Sequence, residues 1–119
     1  MRSRNSEQED YLLRMIQQMG RALARIREML LGGTSTGSAI RVEIAATSAA
    51  LFGRDSAMLD QLDAESAVRL IASPERVALW VQLLEAEAES WDREGGSERA
   101  GACSARAAAL RQASARQEV

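Results

Sequence analysis

The most regular pattern of apolar positions lies in residues 10–33, DYLLRMIQQMGRALARIREMLLGG. Written in heptads with Ile16 at position a, this segment has apolar residues at every a and d position from residue 12 onward: Leu12, Ile16, Met19, Leu23, Ile26 and Leu30. Position g is apolar as well, with Met15, Ala22 and Met29. Position g of a two-stranded coiled coil usually carries charges, whereas an apolar face three positions wide is typical of a helix packed against two neighbours. The pattern therefore predicts an amphipathic helix that ends at Leu31 and forms one wall of a bundle.

Less regular segments lie on either side of this helix. Residues 1–9 are polar, and we expect them to be disordered up to a helix start within residues 6–10. Residues 32–38, GGTSTGS, have the composition of a flexible linker. Residues 38–53 begin with the alternating Ile40, Val42 and Ile44 of a half-buried strand, but the Ala-rich continuation favours a helix. Residues 54–73 predict two short helices, the first capped by Asp55 or Ser56 and the second by Asp63.

Residues 74–117 predict a helical hairpin. Ser73 is a good N-cap and Pro74 suits the first helical position, where a missing N–H does no harm. The two glycines at 95–96 form a turn, after which Ser97 caps a second helix. The inner line of this helix is small, with Ala100, Cys103, Ala107 and Leu110. A short glycine turn between two long helices indicates an antiparallel pair.

The composition supports a single all-α domain over residues 1–119. Apolar residues make up 46% of the chain but aromatic residues only 3%, and Pro74 is the one proline. Ala, Leu, Arg and Glu favour helices, whereas the residues that favour sheets are sparse. A chain of 119 residues is long enough to bury a modest core without disulfides or metals. We therefore expect a bundle of about five or six helices.

The residue types that are missing exclude much chemistry. The chain has no His, and all 15 of its basic residues are Arg. Without His or Lys, one chain cannot form a four-ligand zinc site, a Ser-His-Asp triad, a Schiff base or a Walker phosphate loop. We therefore expect no catalytic residues, no metal and no cofactor, and predict that the protein is not an enzyme. The acidic Glu85, Glu89 and Asp92 are interpreted as a solvated face, and Cys103 as a buried, inert thiol.

Charge and hydropathy limit the possible partners. The net charge is −2, and the segment 1–31, the most basic of three, carries only +2, so we predict no nucleic-acid binding. No run of about 18 apolar residues exists to span a bilayer. A lone cysteine and a polar N-terminus without a secretion signal predict a cytoplasmic protein.

Two resemblances add to this interpretation. The segment VALWVQLLEAEAESWDREGGSERAGACSARAAAL resembles one tetratricopeptide-type repeat, with Ala88, Trp91, Gly95, Ala100 and Ala107 at that family's small, aromatic and turn positions. Gln112 stands where the repeat normally closes with proline. The whole chain resembles a family of small, uncharacterised bacterial helical proteins, through the residues Asp10-Tyr11, Arg14-Met15-Ile16, Leu51-Phe52-Gly53, LDAES at 62–66 and ERV at 75–77. The resemblance implies a helical fold and leaves the activity open.

The apolar face of the first helix is the main candidate for function. Nine such side chains need to be covered by a core within the chain, by a second copy or by a membrane surface. The membrane surface is the least favoured of the three, because this face has no Trp or Phe. Gly20 beside this face predicts a close approach of another helix. We predict a noncatalytic protein-interaction or adaptor module that self-associates, or alternatively a helical regulator that binds a small ligand between helices. The candidate protein-binding residues are Leu12, Met15, Ile16, Met19, Leu23, Ile26, Met29, Leu30 and Trp91.

Overall fold

The chain folds into helices joined by short turns. The computed structural model describes residues 4–118, with side chains from residue 7 to residue 117. The helices are α1 (Arg4–Gly32), α2 (Gly37–Phe52), α3 (Ser56–Gln61), α4 (Ala64–Ile71), α5 (Pro74–Arg93) and α6 (Ser97–Glu118), with a 3₁₀ turn at Gly53–Asp55 between α2 and α3. No strand occurs in the part of the chain that the structure describes. The predicted all-α fold of five or six helices is confirmed.

Helix α5 is the centre of the bundle. Helix α6 folds back along it as the second arm of the predicted antiparallel hairpin, and α1 and α2 pack against α5 as well. Helix α4 lies against α6 and α5, and α3 follows α2 at the same end. Arg27 of α1 donates a hydrogen bond to Gln82 of α5, whereas Gly37, which begins α2, lies against Ser90 near the end of α5. Helices α1 and α5 therefore run in the same direction, and α2 runs back between them.

The core contains side chains from every α-helix, including Leu59 of α3. Its largest fully buried apolar side chains are Ile26, Ile40, Leu51, Leu59, Val77, Leu83 and Leu110. Phe52 and Trp80 meet edge to face, with ring centroids 5.1 Å apart. Carbonyl groups at the ends of α2 and α3 have no partner within their helices. Arg76 donates to the Leu51 carbonyl and Arg106 to the Leu59 carbonyl, each at 2.9 Å, and the Leu59 carbonyl also accepts from the Leu62 N–H at 3.3 Å.

Side-chain caps begin several helices as predicted. The Asp63 carboxylate accepts a hydrogen bond from the Ser66 N–H at 3.2 Å, and the Ser73 hydroxyl accepts one from the Arg76 N–H at 3.3 Å. Asp55 occupies the N-cap position of α3 without making a side-chain hydrogen bond. The segment that contains Ile40, Val42 and Ile44 is helical. Ile40 and Ile44, four residues apart, are buried on the same face, whereas Val42 between them is 65% exposed.

Two predicted boundaries are wrong. The segment 1–9 was expected to be disordered, but α1 begins at Arg4, and residues 1–3 lie outside the described residues. An acidic residue in the first turn, Glu7, suits the positive end of the helix dipole. The flexible linker predicted at 32–38 is shorter, because Gly32 belongs to α1 and Gly37 begins α2. Thr36 fixes that start, since its hydroxyl accepts a hydrogen bond from the Ala39 N–H at 3.0 Å.

Candidate interaction surface

The apolar face of α1 divides into two parts. In the second part Leu23, Ile26 and Leu30 are 5%, 1% and 7% exposed, so these three predicted interface residues belong to the internal core. Met29 is partly buried and packs against that core. In the first part Leu12 is 37% exposed, and Met15, Ile16 and Met19 are half-buried. Leu23, Ile26 and Leu30 are therefore core residues, because α2 and α5 already cover them, whereas Ile16, Met19 and Met29 are only partly buried against that core.

Two apolar residues that sequence reasoning missed widen the open part. Tyr11 is 65% exposed and Leu13 is 56% exposed. They flank the heptad stripe at positions c and e, outside the a, d and g pattern. We call the apolar set at the front of α1 the exposed stripe; it consists of Tyr11, Leu12, Leu13 and Met15, with Ile16 and Met19 at its inner border, where they also pack partly against the core.

The difference between the two parts follows from helix length. At about 1.5 Å per residue, the 29 residues of α1 span roughly 43 Å, whereas the 16 residues of α2 and the 20 of α5 span roughly 24 and 30 Å. The ends of α1 and α5 lie side by side, where Leu30 shares a cavity wall with Ala86 and Glu89. Helix α1 therefore extends past the bundle at its front, in agreement with a molecule 54 Å long and 27 × 24 Å across.

The opposite face of α1 is charged. Arg14, Arg21 and Arg25 are exposed there, and Arg14 donates to the carbonyl of Asp10 at 3.5 Å. Glu7 and Glu9 lie in the first turns, and Glu28 lies near the end of the helix. Apolar and charged side chains are thus separated around α1.

Gly20 does not mark a close helix contact. A Cβ built on Gly20 would meet nothing within 4 Å, so the predicted close approach is wrong. The close approach occurs at Gly37 instead, where an added Cβ would lie 2.6 Å from the carbonyl oxygen of Ser90 and 2.7 Å from the Glu94 carboxylate. Helix α2 comes this near to α5 because position 37 has no side chain.

Trp91 is distant from the exposed stripe and is already covered. The Arg41 guanidinium lies 3.6 Å from the centre of its ring and the Arg99 guanidinium 4.7 Å. Its indole N–H donates to the Glu87 carboxylate at 3.2 Å. Trp91 stands near the end of α5, at the opposite end of the bundle from the front of α1, so it does not lie beside the α1 candidates.

Trp91 belongs to a polar cluster that sequence reasoning did not find. Arg41 forms an ion pair with Glu94 at 2.8 Å and donates to the Ser90 hydroxyl at 3.3 Å. Glu94 also accepts a hydrogen bond from the Ser38 N–H at 3.1 Å, at the start of α2. Ser90 is 0% exposed and donates to the Glu87 carbonyl at 2.6 Å. The partners of Arg41 are about fifty residues away in the chain, and no local spacing signals such a cluster. The cluster joins α2 to α5.

Two other polar candidates, Glu85 and Cys103, also have defined neighbours within the hairpin of α5 and α6. Glu85 pairs with Arg111 at 3.1 Å across the hairpin. Burial and the neighbouring Glu87 raise the pKa of the Cys103 thiol to about 12, which keeps the thiol protonated at neutral pH. Within residues 4–118, no three His, Cys, Asp or Glu side chains lie together in a way that could hold a metal ion.

A cleft of about 280 Å³ lies between α2, α3 and α5. Its floor is apolar and includes Phe52 and Trp80, and its rim carries Arg41, Asp60 and Glu87. Burial raises the pKa of Asp60, as Glu87 does to a smaller extent, while Arg106 acts in the opposite direction. The cleft thus combines an apolar floor with two nearby carboxylates.

None of the three comparisons with known proteins connects this chain to a known function. No family model matches it, and no curated protein or solved structure does. The resemblances to a bacterial helical family and to a tetratricopeptide-type repeat stay predictions. Among the described residues, no helix is both long and apolar enough to cross a membrane.

Proposed function

We propose that the protein is a noncatalytic interaction module that self-associates through the exposed stripe of α1. The observation that carries this proposal is the run of exposed apolar side chains at the front of α1, Tyr11, Leu12 and Leu13, beside the half-buried Met15, Ile16 and Met19. Contiguous apolar surface of this kind marks interaction sites on monomeric domains, whereas scattered exposed apolar residues do not. The absence of His and Lys from the sequence favours binding over catalysis. A cytoplasmic location fits the lone cysteine and stays a prediction.

The exposed fractions of these side chains give the strength of self-association that we expect. Tyr11, Leu12 and Leu13 are 65%, 37% and 56% exposed, and full burial of one large apolar side chain contributes about 1.5–3 kcal/mol. Covering these three side chains therefore contributes roughly 2–5 kcal/mol per copy. Two such surfaces contribute about 4–10 kcal/mol, and association itself costs at least about 4 kcal/mol, so at most about 6 kcal/mol is left and the dimer should have a Kd of tens of micromolar or weaker.

Sedimentation velocity at concentrations from about 1 to about 500 µM reaches roughly ten times the strongest Kd that these contributions allow. We expect a monomer at the low end and a dimer at the high end. Met15→Glu places a charge in the exposed stripe and should leave a folded monomer at every concentration. Gln18→Glu adds the same charge at an exposed position outside the stripe and should dimerise like the unmodified protein. A wild-type monomer throughout the range would overturn self-association.

Met29→Glu separates the two parts of the α1 face. Met29 packs against the internal core, so this substitution should lower the thermal midpoint of unfolding. Met15→Glu should change that midpoint little when both variants are measured as dilute monomers. Equal loss of stability in the two variants would show that position 15 is also part of the folded core.

The cleft between α2, α3 and α5 favours a second candidate function, the binding of a small ligand between helices. Asp60 and Glu87 at the rim suit the ammonium group of a small aromatic amine, and Phe52 and Trp80 suit its ring. Amide NMR spectra recorded with phenethylamine should then show shifts confined to the cleft, and Asp60→Asn should remove them. Phenylacetate is the matched control with a negative charge. Shifts that are absent, or equal for the amine and the acid, would refute this candidate.

A further inference from the structure

The short helix α3 forms one wall of the cleft that contains Phe52 and Trp80. Ser56 and Asp60, about one helical turn apart on α3, both line this cleft. The other walls belong to α2 and α5, which have 16 and 20 residues. Helix α3 has 6 residues, and a helix of that length is not stable in water by itself. Its position over the cleft therefore depends on contacts with the rest of the chain.

Few contacts hold α3 in place. It packs on α2 and on the 3₁₀ turn at Gly53–Asp55. Leu59 is its one buried side chain, 2% exposed, whereas Met58 beside it is 47% exposed. Arg106 of α6 donates to the Leu59 carbonyl at 2.9 Å, and among the described residues this is the one side-chain hydrogen bond that another helix makes to α3. Helix α4, which buries three residues and packs against α6 and α5, should be released less easily than α3.

The chain on both sides of α3 is suited to act as a hinge. Gly53, which begins the turn before α3, has φ +58°, in the left-handed region that favours glycine. Leu62, which ends α3, is extended, with φ −84° and ψ 151°. Helical backbone is interrupted at both residues, and hinges are commonly a few residues at the ends of elements. Helix α3 can therefore turn as a unit while α2 and α4 keep their structure.

Arg106 connects α3 to the floor of the cleft. Its guanidinium lies 5.3 Å from the centre of the Trp80 ring while it donates to the Leu59 carbonyl. Burial raises the pKa of Asp60 and Arg106 acts in the opposite direction, so the Arg106 charge also attracts the carboxylate of α3. Arg106 therefore holds α3 through its backbone and through its charge.

We propose that α3 is a hinged lid over the cleft, which turns about Gly53 and which Arg106 holds closed. Opening exposes Leu59 and breaks the Arg106 hydrogen bond, while the hairpin of α5 and α6 stays folded. Burial of one leucine, together with one hydrogen bond from a charged donor, favours the closed form by about two to four orders of magnitude. The open form is thus a minor state of the folded protein. The lid rests on the geometry of α3 alone, whereas its role as a gate for a ligand rests on the binding proposed for the cleft.

Native-state hydrogen exchange, followed for each amide by NMR at increasing urea, tests the lid. We expect the amides of α3 to exchange faster than those of α4. Their exchange should also speed up with urea below the unfolding midpoint, because opening exposes Leu59 and the cleft floor. Exchange of α3 that does not depend on urea would show fraying of the helix instead of opening. Exchange of α3 together with α4 would show that it opens only with the whole bundle, and either result would overturn the lid.

Arg106→Met tests the contact that holds the lid closed. This variant keeps a long side chain over Trp80 and removes the donor to Leu59. The exchange of α3 should become about ten- to a hundredfold faster, while that of α4 changes little. Arg111→Met is the matched control, since Arg111 lies on the same helix and pairs with Glu85 at 3.1 Å. Equal acceleration of α3 and α4 by Arg106→Met would overturn this role of Arg106.

Gly53→Ala tests the hinge independently of Arg106. A Cβ at this position would meet nothing within 4 Å, so the substitution acts through the backbone conformation at φ +58°. It should speed the exchange of α3 more than that of α4, because turning of the lid relieves the strain. Equal effects on the two helices, or none on α3, would overturn Gly53 as the hinge.

Phenethylamine tests the lid as a gate. Asp60 belongs to the lid and suits the ammonium group, so the bound amine should hold the lid closed. At about ten times its Kd, the amine should slow the exchange of α3 about tenfold. Amide shifts in the cleft without slower exchange of α3 would overturn the gate. No shifts at all would overturn the proposed ligand binding, while urea-dependent opening of α3 would still support the lid.

Discussion

Removing the same atoms from two isoleucines of α1 tests whether its apolar face has two roles. Ile26 is 1% exposed in the core, whereas Ile16 is half-buried and packs only partly against that core at the front of the helix. Both residues lie on one stripe and in one helix, so Ile26→Ala and Ile16→Ala differ mainly in what surrounds the side chain. The sequence pattern alone does not distinguish the two positions.

The surroundings set different free energies for the two substitutions. Replacing a fully buried isoleucine by alanine lowers the free energy of unfolding by about 2–5 kcal/mol, because the surrounding side chains cannot close the cavity. Alanine recovers a few tenths of a kcal/mol through its higher helix propensity, roughly 0.4 kcal/mol. We therefore expect a loss of about 2–4 kcal/mol for Ile26→Ala. For Ile16→Ala, solvent fills the space and the propensity gain offsets more of the loss, which leaves about 0–1.5 kcal/mol.

Urea denaturation followed by circular dichroism measures these losses. The protein is kept near about 1 µM, below the expected Kd, so that dimer formation does not add to the stability of either variant. The slope of free energy against urea should stay constant, so a change in midpoint reports a change in stability. Losses that agree within about 0.5 kcal/mol, the usual limit for independent substitutions, would refute the division of α1 into a core part and an open part.

Two further predictions concern the contact between α2 and α5 and the thiol of α6. Gly37→Ala should lower the free energy of unfolding by about 1–3 kcal/mol, because the new Cβ would lie 2.6 Å from the Ser90 carbonyl oxygen. Gly101→Ala, whose Cβ would have nothing within 4 Å, should raise the free energy of unfolding by about 0.5–1 kcal/mol in the same urea assay. A stabilising Gly37→Ala would contradict the close approach of the two helices. The folded-state pKa of Cys103 is raised from 9.0 to about 12, so the stability that its neutral thiol contributes is present below pH 9 and is lost as the pH rises toward 12. At pH 8 the folded protein should therefore react with a disulfide reagent about two to three orders of magnitude more slowly than the urea-unfolded chain, and equal rates would show that the thiol is not shielded.

Local signals predicted most of the helices. Ser73 with Pro74 begins α5, Asp63 caps α4, and the glycines at 95–96 end the first arm of the hairpin. These features act within a few residues of the chain, so they can be recognised in the sequence without knowledge of the fold. The start of α1 was missed because a polar composition describes a solvated helix end as well as a disordered one.

The candidate site was predicted only in part, because contacts distant in sequence decide it. Of the predicted α1 residues, Leu12, Met15, Ile16 and Met19 lie at the less buried front of the helix, whereas Leu23, Ile26 and Leu30 are core residues, and the exposed Tyr11 and Leu13 were missed. Nothing near Trp91 in the sequence reveals that Arg41, fifty residues before it, covers its ring. Gly20 and Gly37 show the same limit, since only the path of another helix decides which glycine makes a close contact.

The sequence by itself determined that α1 is an amphipathic helix with an apolar face three positions wide, because helix periodicity depends only on the spacing of residues. It could not determine how far along the helix that face is covered. Tertiary structure decided this through the lengths of α2 and α5. These helices are shorter than α1 and do not reach its front, so they cover Leu23, Ile26 and Leu30 while Leu12 and Leu13 stay open. The physical reason is that burial depends on where neighbouring helices end in space, and a helix's own pattern does not contain that information.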